Sequence, residues 1–241
     1  MTFPTPDFSA ETMAAAKAHA VASFPRESCG LIVAGNYVPC ENTAADPEKD
    51  FRIAPEHLID AGANLQAVIH SHPDSNREPS EADTQGQIDT GCIWGIIPCN
   101  AQEAYEPLFW GDFRLETPLI GRKFIYGADD CATLIRAWYW QNRGIKLRDF
   151  ARPGGEWWKE NEDIYLQRFI EAGFRPITMG EAKEGDVVLG RTHQATAPNH
   201  GGIVLDNDLV LHCYREGRPS RREPIGRWLS FIKHWLRYEG N

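Results

Sequence analysis

An apolar run ends in two histidines within the first third of the chain: Leu65-Gln66-Ala67-Val68-Ile69-His70-Ser71-His72. The apolar residues favour a β-strand, in which successive side chains point to opposite faces. His70 and His72 are two residues apart, so both point to the same face. Two imidazoles on one face can bind one metal ion. The sequence therefore predicts a strand that ends in a metal site.

A helix start follows within a few residues, in the run Pro79-Ser80-Glu81-Ala82-Asp83. Ser80 is a preferred N-cap residue, which places Asp83 on the first turn, where it can turn back toward the strand end. Two histidines and one carboxylate leave the fourth position of a zinc ion open, as in catalytic sites. Taken alone, Ser80 and Asp83 are also explained as an ordinary capping box, and the histidines as polar residues at a strand end.

With Glu27 upstream, the pattern resembles the JAB/JAMM metallopeptidase family: a glutamate, then His-Ser-His-Pro, then Ser-x-x-Asp. The resemblance implies that His70, His72 and Asp83 bind zinc, that Glu27 accepts a proton from the bound water, and that Ser80 helps to hold the oxyanion. The chemistry agrees, because zinc lowers the pKa of bound water to roughly 7 and a nearby carboxylate can take its proton. Metal binding could instead serve folding alone.

The segments around these residues predict an N-terminal domain of mixed α and β structure. Alanine-rich spacing predicts a helix over residues 9–23, and two strands are expected at 31–34 and 36–40, joined at Gly35. A short helix over residues 55–61 and strands near 92–98 and 105–113 complete the predicted set.

The run Leu115-Glu116-Thr117-Pro118-Leu119 contains a proline and has no regular apolar period. We place a domain boundary here and expect an α+β chain of two domains, residues 1–115 and 116–241. The linker from 115 to 122 is also a candidate for proteolytic separation of the two domains.

Composition limits the classes of function. A chain of 241 residues with 42% hydrophobic residues can bury a sizeable core, and its net charge of -9 disfavours general binding to nucleic acid or anionic membranes. No stretch is long and apolar enough for a membrane span, and the first residues lack the basic region of a signal peptide, so we expect folding in a cytoplasm. The six cysteines form no CxxC pair, so a disulfide framework is not expected.

The second predicted domain opens on Tyr126-Gly127-Ala128-Asp129-Asp130-Cys131, followed by residues with helical apolar spacing. Cys131 is therefore expected at a helix N-terminus. The helix dipole and the free backbone amides at that position would stabilise a thiolate and lower the pKa of the thiol. The sequence thus indicates a nucleophile, although a buried structural cysteine would fit the same position.

Two further histidines lie on predicted strands. His200 opens the run Asn199-His200-Gly201-Gly202-Ile203-Val204-Leu205, and His212 ends the next strand after a turn at Asp206-Asn207-Asp208. A two-strand ribbon of this kind could bring His200 beside His212. A cysteine, a histidine base and a second polar group form the triad of a thiol peptidase. Two alternatives remain open: a second zinc site of Cys131, His200 and His212, and strand histidines with purely structural partners.

Residues 120 to 241 resemble the NlpC-type cysteine peptidases, a papain-like α+β superfamily. The resemblance lies in Asp130-Cys131, in the strand Gly185-Asp186-Val187-Val188-Leu189 and in the His-Gly-Gly-Ile run at His200. It implies Cys131 as nucleophile, His200 as base, His212 as the third polar residue, and cell-wall stem peptides as substrates. One departure is that Cys131 is followed by Ala132-Thr133, where the family often has Ser-Gly.

The order of the two domains resembles the tail tip assembly proteins of lambda-like long-tailed bacteriophages. This resemblance implies other phage tail tip proteins as partners, and a location in the host cytoplasm during assembly or at the virion tail tip. A structural assembly factor with inactive or merely stabilising sites is the main alternative. A deubiquitinase-like or sulfur-carrier-processing peptidase is a third interpretation, but it leaves the second domain unexplained.

Overall fold

The computed structural model describes residues 6–159, 163–192, 195–214 and 217–240. The chain contains two compact units: one consists of the residues up to Pro79 together with Gly86–Asp112, and the other of Ser80–Gln85 together with the residues from Phe113 onward. Each contains its own sheet together with helices, which confirms the predicted α+β organisation in two domains. The boundary at residues 115 and 116 stays a prediction. No helix in the described ranges combines the length and the apolar character that crossing a membrane requires.

The first sheet has the strand order β2-β1-β3-β4-β5. Its strands are β1 (Cys29–Val33), β2 (Asn36–Cys40), β3 (Leu65–His72), β4 (Ile93–Pro98) and β5 (Leu108–Trp110). Strands β3 and β4 are parallel, whereas the other neighbours are antiparallel. Because β3 is central, its last six residues are all buried. The strand expected over 105–113 is only three residues long.

Three helices belong to this half of the chain: α1 (Ala10–Ser23), α2 (Pro55–Ala61) and α3 (Glu81–Thr90). Each begins where the sequence predicts. The side chain of Ser9 accepts a hydrogen bond from the Thr12 amide and caps α1, and proline occupies the first turn of α2. Strands β1 and β2 are joined by Ala34 and Gly35, both with positive φ, as a tight hairpin turn requires.

The second unit contains helices α4 (Cys131–Arg143) and α5 (Ile164–Glu171). Its sheet has six strands in the order β10-β9-β8-β7-β11-β6, and all neighbouring strands are antiparallel. The strands are β6 (Phe174–Ile177), β7 (Val187–Gly190), β8 (His200–Leu205), β9 (Leu209–His212), β10 (Arg221–Pro224) and β11 (Ile232–Tyr238). The predicted ribbon is confirmed, because β8 pairs with β9 across a turn in which Asn207 and Asp208 have positive φ.

Helix α4 packs closely on β8. A Cβ atom added to Gly201 would lie 3.0 Å from the Cδ1 atom of Ile135, so the glycine permits this close approach. The buried core around α4 includes Leu134, Ile135 and Trp138 from the helix and Ile203 from the strand.

The predicted linker is tied to the second unit by hydrogen bonds. The guanidinium of Arg122 is fully buried and donates to the carbonyl oxygens of Arg114, Thr117 and Pro118 at 2.8–3.0 Å. The side chain of Gln141 donates to the carbonyl oxygens of Leu115 and Thr117. A peptidase could reach these peptide bonds only after the segment had left Arg122 and Gln141, which weighs against cleavage of the native chain here.

Candidate active sites

The two histidines at the end of β3 converge. The Nε2 atom of His70 lies 3.2 Å from the Nε2 atom of His72. Asp83, on the first turn of α3, joins them, and one ligand atom from each residue lies within 4.8 Å of the other two. All three side chains are buried. Strand period and helix start thus place the residues as the sequence predicts, while their roles stay predictions.

The geometry of this cluster fits a tetrahedral metal. Two nitrogens bound to one zinc ion at about 2.0–2.1 Å with a tetrahedral angle would be roughly 3.3 Å apart. The separation of 3.2 Å between the two Nε2 atoms matches this value. Two imidazoles and a carboxylate are also a donor set that zinc accepts with one position left open. The residues therefore suit a zinc ion.

Neighbouring groups orient both imidazoles. The Nδ1 atom of His72 lies 3.2 Å from the carbonyl oxygen of Asn76, to which it can donate, and this leaves Nε2 as the ligand atom. The ring of His70 stacks on Phe51 at 4.4 Å, and the rings of Trp94 and Trp110 meet it edge-on. These contacts hold the ligand atoms in place through the rings that carry them.

Ser80 and Asp83 form a capping box. Ser80 Oγ accepts from the Asp83 amide at 3.1 Å, and the Asp83 carboxylate accepts from the Ser80 amide at 2.8 Å. The capping interpretation is confirmed, and it is compatible with the metal interpretation, which stays a prediction, because the cap holds the Asp83 carboxylate in place. Ser80 itself is exposed. Its hydroxyl proton is not used by the bond that Oγ accepts, so it is available to a substrate oxygen.

Glu27 precedes β1 on the strand that pairs with β3. Cys29 lies opposite His70, and the amide of Ser71 donates to the Ser28 carbonyl oxygen, so the two segments remain hydrogen-bonded up to the residue after Glu27. The Glu27 side chain is buried.

In the second unit, Cys131 is the first residue of α4, as predicted. Asp130 caps the helix by accepting from the Thr133 amide at 2.9 Å, and the buried Arg152 donates to Asp130 from Nε at 2.8 Å. The expected lowering of the Cys131 pKa is wrong. Burial, assisted by the nearby Asp130 carboxylate, raises the pKa of the thiol to about 12. The helix terminus is visible in the sequence, but the desolvation that outweighs it is not.

The predicted pair of histidines does meet. His200 Nε2 lies 3.0 Å from His212 Nδ1, and both rings are buried. Gly202 lies opposite His212, and a Cβ atom there would be 3.3 Å from the Cβ atom of His212 and 2.7 Å from the side chain of Val210, so the glycine makes room for the ring. Beyond the predicted residues, Glu223 Oε2 lies 3.2 Å from His212 Nε2.

The candidate nucleophile and the candidate base are not joined. In the described part of the chain, Cys131 Sγ lies 4.0 Å from the Tyr165 hydroxyl oxygen, and it has no hydrogen bond with His200. Cys131, His200 and His212 also form no metal-ligand group among the described residues, so the alternative of a second zinc site is not supported. The sequence does not identify Glu223 and Arg152 as part of this site, because their spacing from the residues they contact matches no known motif.

Comparison with known proteins agrees with this division. A family model described as prokaryotic homologs of the JAB domain matches residues 9–111, and the NlpC/P60 family model matches residues 121–228. The chain is 35% identical to the tail tip assembly protein K of Escherichia phage N15, over 95% of each protein. The chain belongs to the tail tip assembly protein K family. It is also 29% identical to the tail tip assembly protein K of Escherichia phage lambda, over 73% of this chain and 84% of that protein.

Among solved structures, the NlpC/p60 domain of the peptidoglycan hydrolase SagA is similar to this chain with 18% identity and a TM-score of 0.34, over 49% of this chain and 89% of that domain. At this TM-score the similarity carries no argument about the sites.

Proposed function

We propose that the chain is a phage tail tip assembly protein with two peptidase sites. The first domain, residues 1–115, would be a zinc-dependent hydrolase of an amide or isopeptide bond. The second, residues 116–241, would be a thiol endopeptidase that cleaves peptidoglycan stem peptides. The observation that carries the proposal is the convergence of His70, His72 and Asp83 within 4.8 Å in a chain that also brings His200 to His212. The two matching domain families support it.

At the first site, His70, His72 and Asp83 would hold the zinc ion. Zinc supplies a water of lowered pKa, roughly 7, and polarises the substrate carbonyl. Glu27, buried just before the strand that pairs with β3, would accept a proton from the attacking water and return it to the leaving amine. Ser80 would donate its hydroxyl proton to the developing oxyanion while its oxygen continues to cap α3.

At the second site, neutral His200 would take the thiol proton as the Cys131 sulfur attacks the substrate carbonyl carbon. Burial and the neighbouring His212 hold the pKa of His200 well below its ordinary value, so the ring is unprotonated and able to act as a base. The new carbon–sulfur bond gives a tetrahedral intermediate, which expels the amine with the proton from His200. Water then cleaves the thioester with the same base. Cys131 must first turn from Tyr165 toward His200.

Digestion of peptidoglycan sacculi tests the thiol site. Released fragments are identified by mass spectrometry for the wild type, Cys131→Ala, and the wild type treated with a chelator. We expect release that survives chelation and is lost in Cys131→Ala. Cys92→Ala is the matched control, because Cys92 is a partly exposed cysteine outside this site. Release that persists in Cys131→Ala would contradict the assignment.

Metal content tests the first site. We expect about one zinc ion per purified chain, lost in His70→Gln and in Asp83→Asn. His57→Gln is the control, since His57 is an exposed histidine on α2. Equal zinc content in His70→Gln and His57→Gln would refute the ligand assignment. Incubation of zinc-loaded protein and Glu27→Gln with isolated tail tip proteins, followed by mass analysis, then tests for hydrolysis.

A structural assembly factor with inactive sites is the second candidate. One observation favours it: the Cys131 thiol is buried, its pKa is raised, and it has no hydrogen bond to His200 among the described residues. Phage that carry Cys131→Ala or Glu27→Gln separate the candidates. Full infectivity of both mutants would establish the structural role, whereas loss in either one supports chemistry at the corresponding site.

A further inference from the structure

A glutamate extends the pair of histidines in the second unit. Glu223, on β10, places Oε2 at 3.2 Å from His212 Nε2, while His212 Nδ1 lies 3.0 Å from His200 Nε2. The same carboxylate accepts from Arg221 Nε at 2.7 Å and from Trp228 Nε1 at 2.9 Å. Two polar side chains, His212 and Glu223, are thus lined up behind the His200 imidazole that would act as base.

We propose that Glu223 is a positioning residue of the thiol site: it fixes the tautomers of His212 and His200 so that the lone pair of His200 is on Nδ1, the atom left to receive the Cys131 proton. The proposal deepens the proposed peptidase function and rests on it for its catalytic meaning. The tautomers themselves can be measured whether or not the enzyme turns over.

The chain of hydrogen bonds starts at Glu223, which accepts. Burial of its carboxyl favours the neutral form, but the hydrogen bonds from Arg221 and Trp228 outweigh burial and lower its pKa. The ionised carboxylate can only accept hydrogen bonds. His212 must therefore carry its proton on Nε2, the nitrogen that faces Glu223.

The next link follows from the neutrality of His212. Burial lowers the pKa of His212 and outweighs the opposing effect of Glu223, so the ring carries one proton. With Nε2 protonated, its Nδ1 is an acceptor. Because Nδ1 of His212 faces Nε2 of His200, His200 must donate from Nε2. A neutral His200 then has its lone pair on Nδ1.

The remaining groups that face His212 do not change the direction of the hydrogen bonds from His200 through His212 to Glu223. The Trp228 ring meets it edge-on at 4.5 Å, the Tyr214 ring lies at 6.4 Å, and Arg221 is bound to the far oxygen of Glu223. Without the carboxylate, His212 could carry its proton on Nδ1 instead. Nδ1 of His212 would then donate to Nε2 of His200. The proton of His200 would move to its own Nδ1, and this nitrogen could no longer accept the proton of Cys131.

The test compares the wild type with Glu223→Gln, Glu223→Asp and the control Glu239→Gln. Glu239 is an exposed glutamate of the same unit, paired with Arg175. The full-length protein is labelled with ¹⁵N-histidine, and ring nitrogen shifts, assigned with His212→Gln, report which nitrogen carries the proton. We expect protonated Nε2 on both rings in the wild type and in Glu239→Gln, and a mixture of tautomers in Glu223→Gln.

Kinetics on a soluble stem peptide give the second readout. We expect Glu223→Gln to lower kcat by at least about tenfold with little change in KM, and Glu223→Asp to recover part of the loss. Wild-type His200 protonated on Nδ1, or unchanged tautomers in Glu223→Gln, would overturn the proposal. An inactive wild type with the expected tautomer change would instead refute the peptidase function and leave the positioning effect established.

Discussion

A buried arginine supports the start of the helix that carries the candidate nucleophile. The Arg152 side chain is 2% exposed and lies between two carboxylates, with Nε at 2.8 Å from Asp130 and Nη1 at 2.8 Å from Asp149. Asp130 is the N-cap of α4, and its side chain is fully buried. Substitution Arg152→Met keeps much of the apolar stem and removes the charge, so Asp130 would remain as a buried carboxylate without its partner.

The expected loss is large. Removal of one partner from a buried ion pair costs about 3–5 kcal/mol, because the remaining charge stays desolvated. With a urea dependence of about 2 kcal/mol per molar, the unfolding midpoint of the affected unit should fall by roughly 1.5–2.5 M. Arg175→Met is the matched control. Arg175 pairs with Glu239 at the surface, where both side chains are about half exposed, and such a pair contributes at most about 1 kcal/mol.

Urea denaturation of the full-length protein, followed by tryptophan fluorescence, measures both variants. The double variant Arg152→Met with Asp130→Asn should recover part of the loss, because asparagine caps a helix without a charge. A midpoint shift in Arg152→Met no larger than that in Arg175→Met would refute the reasoning. It would mean that Asp130 finds another partner when Arg152 is lost.

Three further predictions concern the same unit. Gly202→Ala should lower the free energy of unfolding by about 1–3 kcal/mol and reduce peptidase activity, because the new Cβ would lie 2.7 Å from a valine side chain of β9. In the control Gly180→Ala the new Cβ has no atom within 4 Å, so urea denaturation and sacculus digestion should show no change in stability or activity. Stability should fall as the pH drops below 6.5, because His200 and His212 have lowered pKa values in the folded protein and bind protons there only after they would in the unfolded chain. The urea midpoints at pH 7.5 and pH 5.5 should therefore differ less in variants of these histidines than in the wild type. Cys131 in the native protein should react with iodoacetamide at pH 8 at least about tenfold more slowly than in urea, and equal rates, measured by peptide mass spectrometry, would contradict its buried, raised-pKa state.

Local signals in the sequence predict the helix starts and the central strand well. Strand β3 has the predicted limits, because an apolar run and a two-residue period depend only on neighbouring residues. Ser80 and Asp130 likewise mark the starts of α3 and α4 through bonds to amides three residues away. The roles of the site residues that these elements carry remain predictions.

Properties that depend on distant contacts were not predictable in this way. The proline-bearing linker has the composition of a free connection, but the buried Arg122 donates hydrogen bonds to its carbonyl oxygens and ties it to the second unit. The contact of Glu223 with His212 requires the register of β9 and β10, in which Arg221 pairs with His212. The raised pKa of Cys131 depends on the core that covers it.

Both candidate sites join a helix start to a strand that carries histidines. In the first, Asp83 is bound into the cap of α3 while its carboxylate reaches the histidines of β3. In the second, Cys131 directly follows the cap of α4, and the histidines lie on β8 and β9. A helix start leaves several amides without helical partners, and each cap binds one or more of them. Each candidate site residue therefore lies within or next to the bonds that cap the start of its helix, and a change to Ser80 or Asp130 should alter the position of Asp83 or Cys131 as well as the stability of the fold.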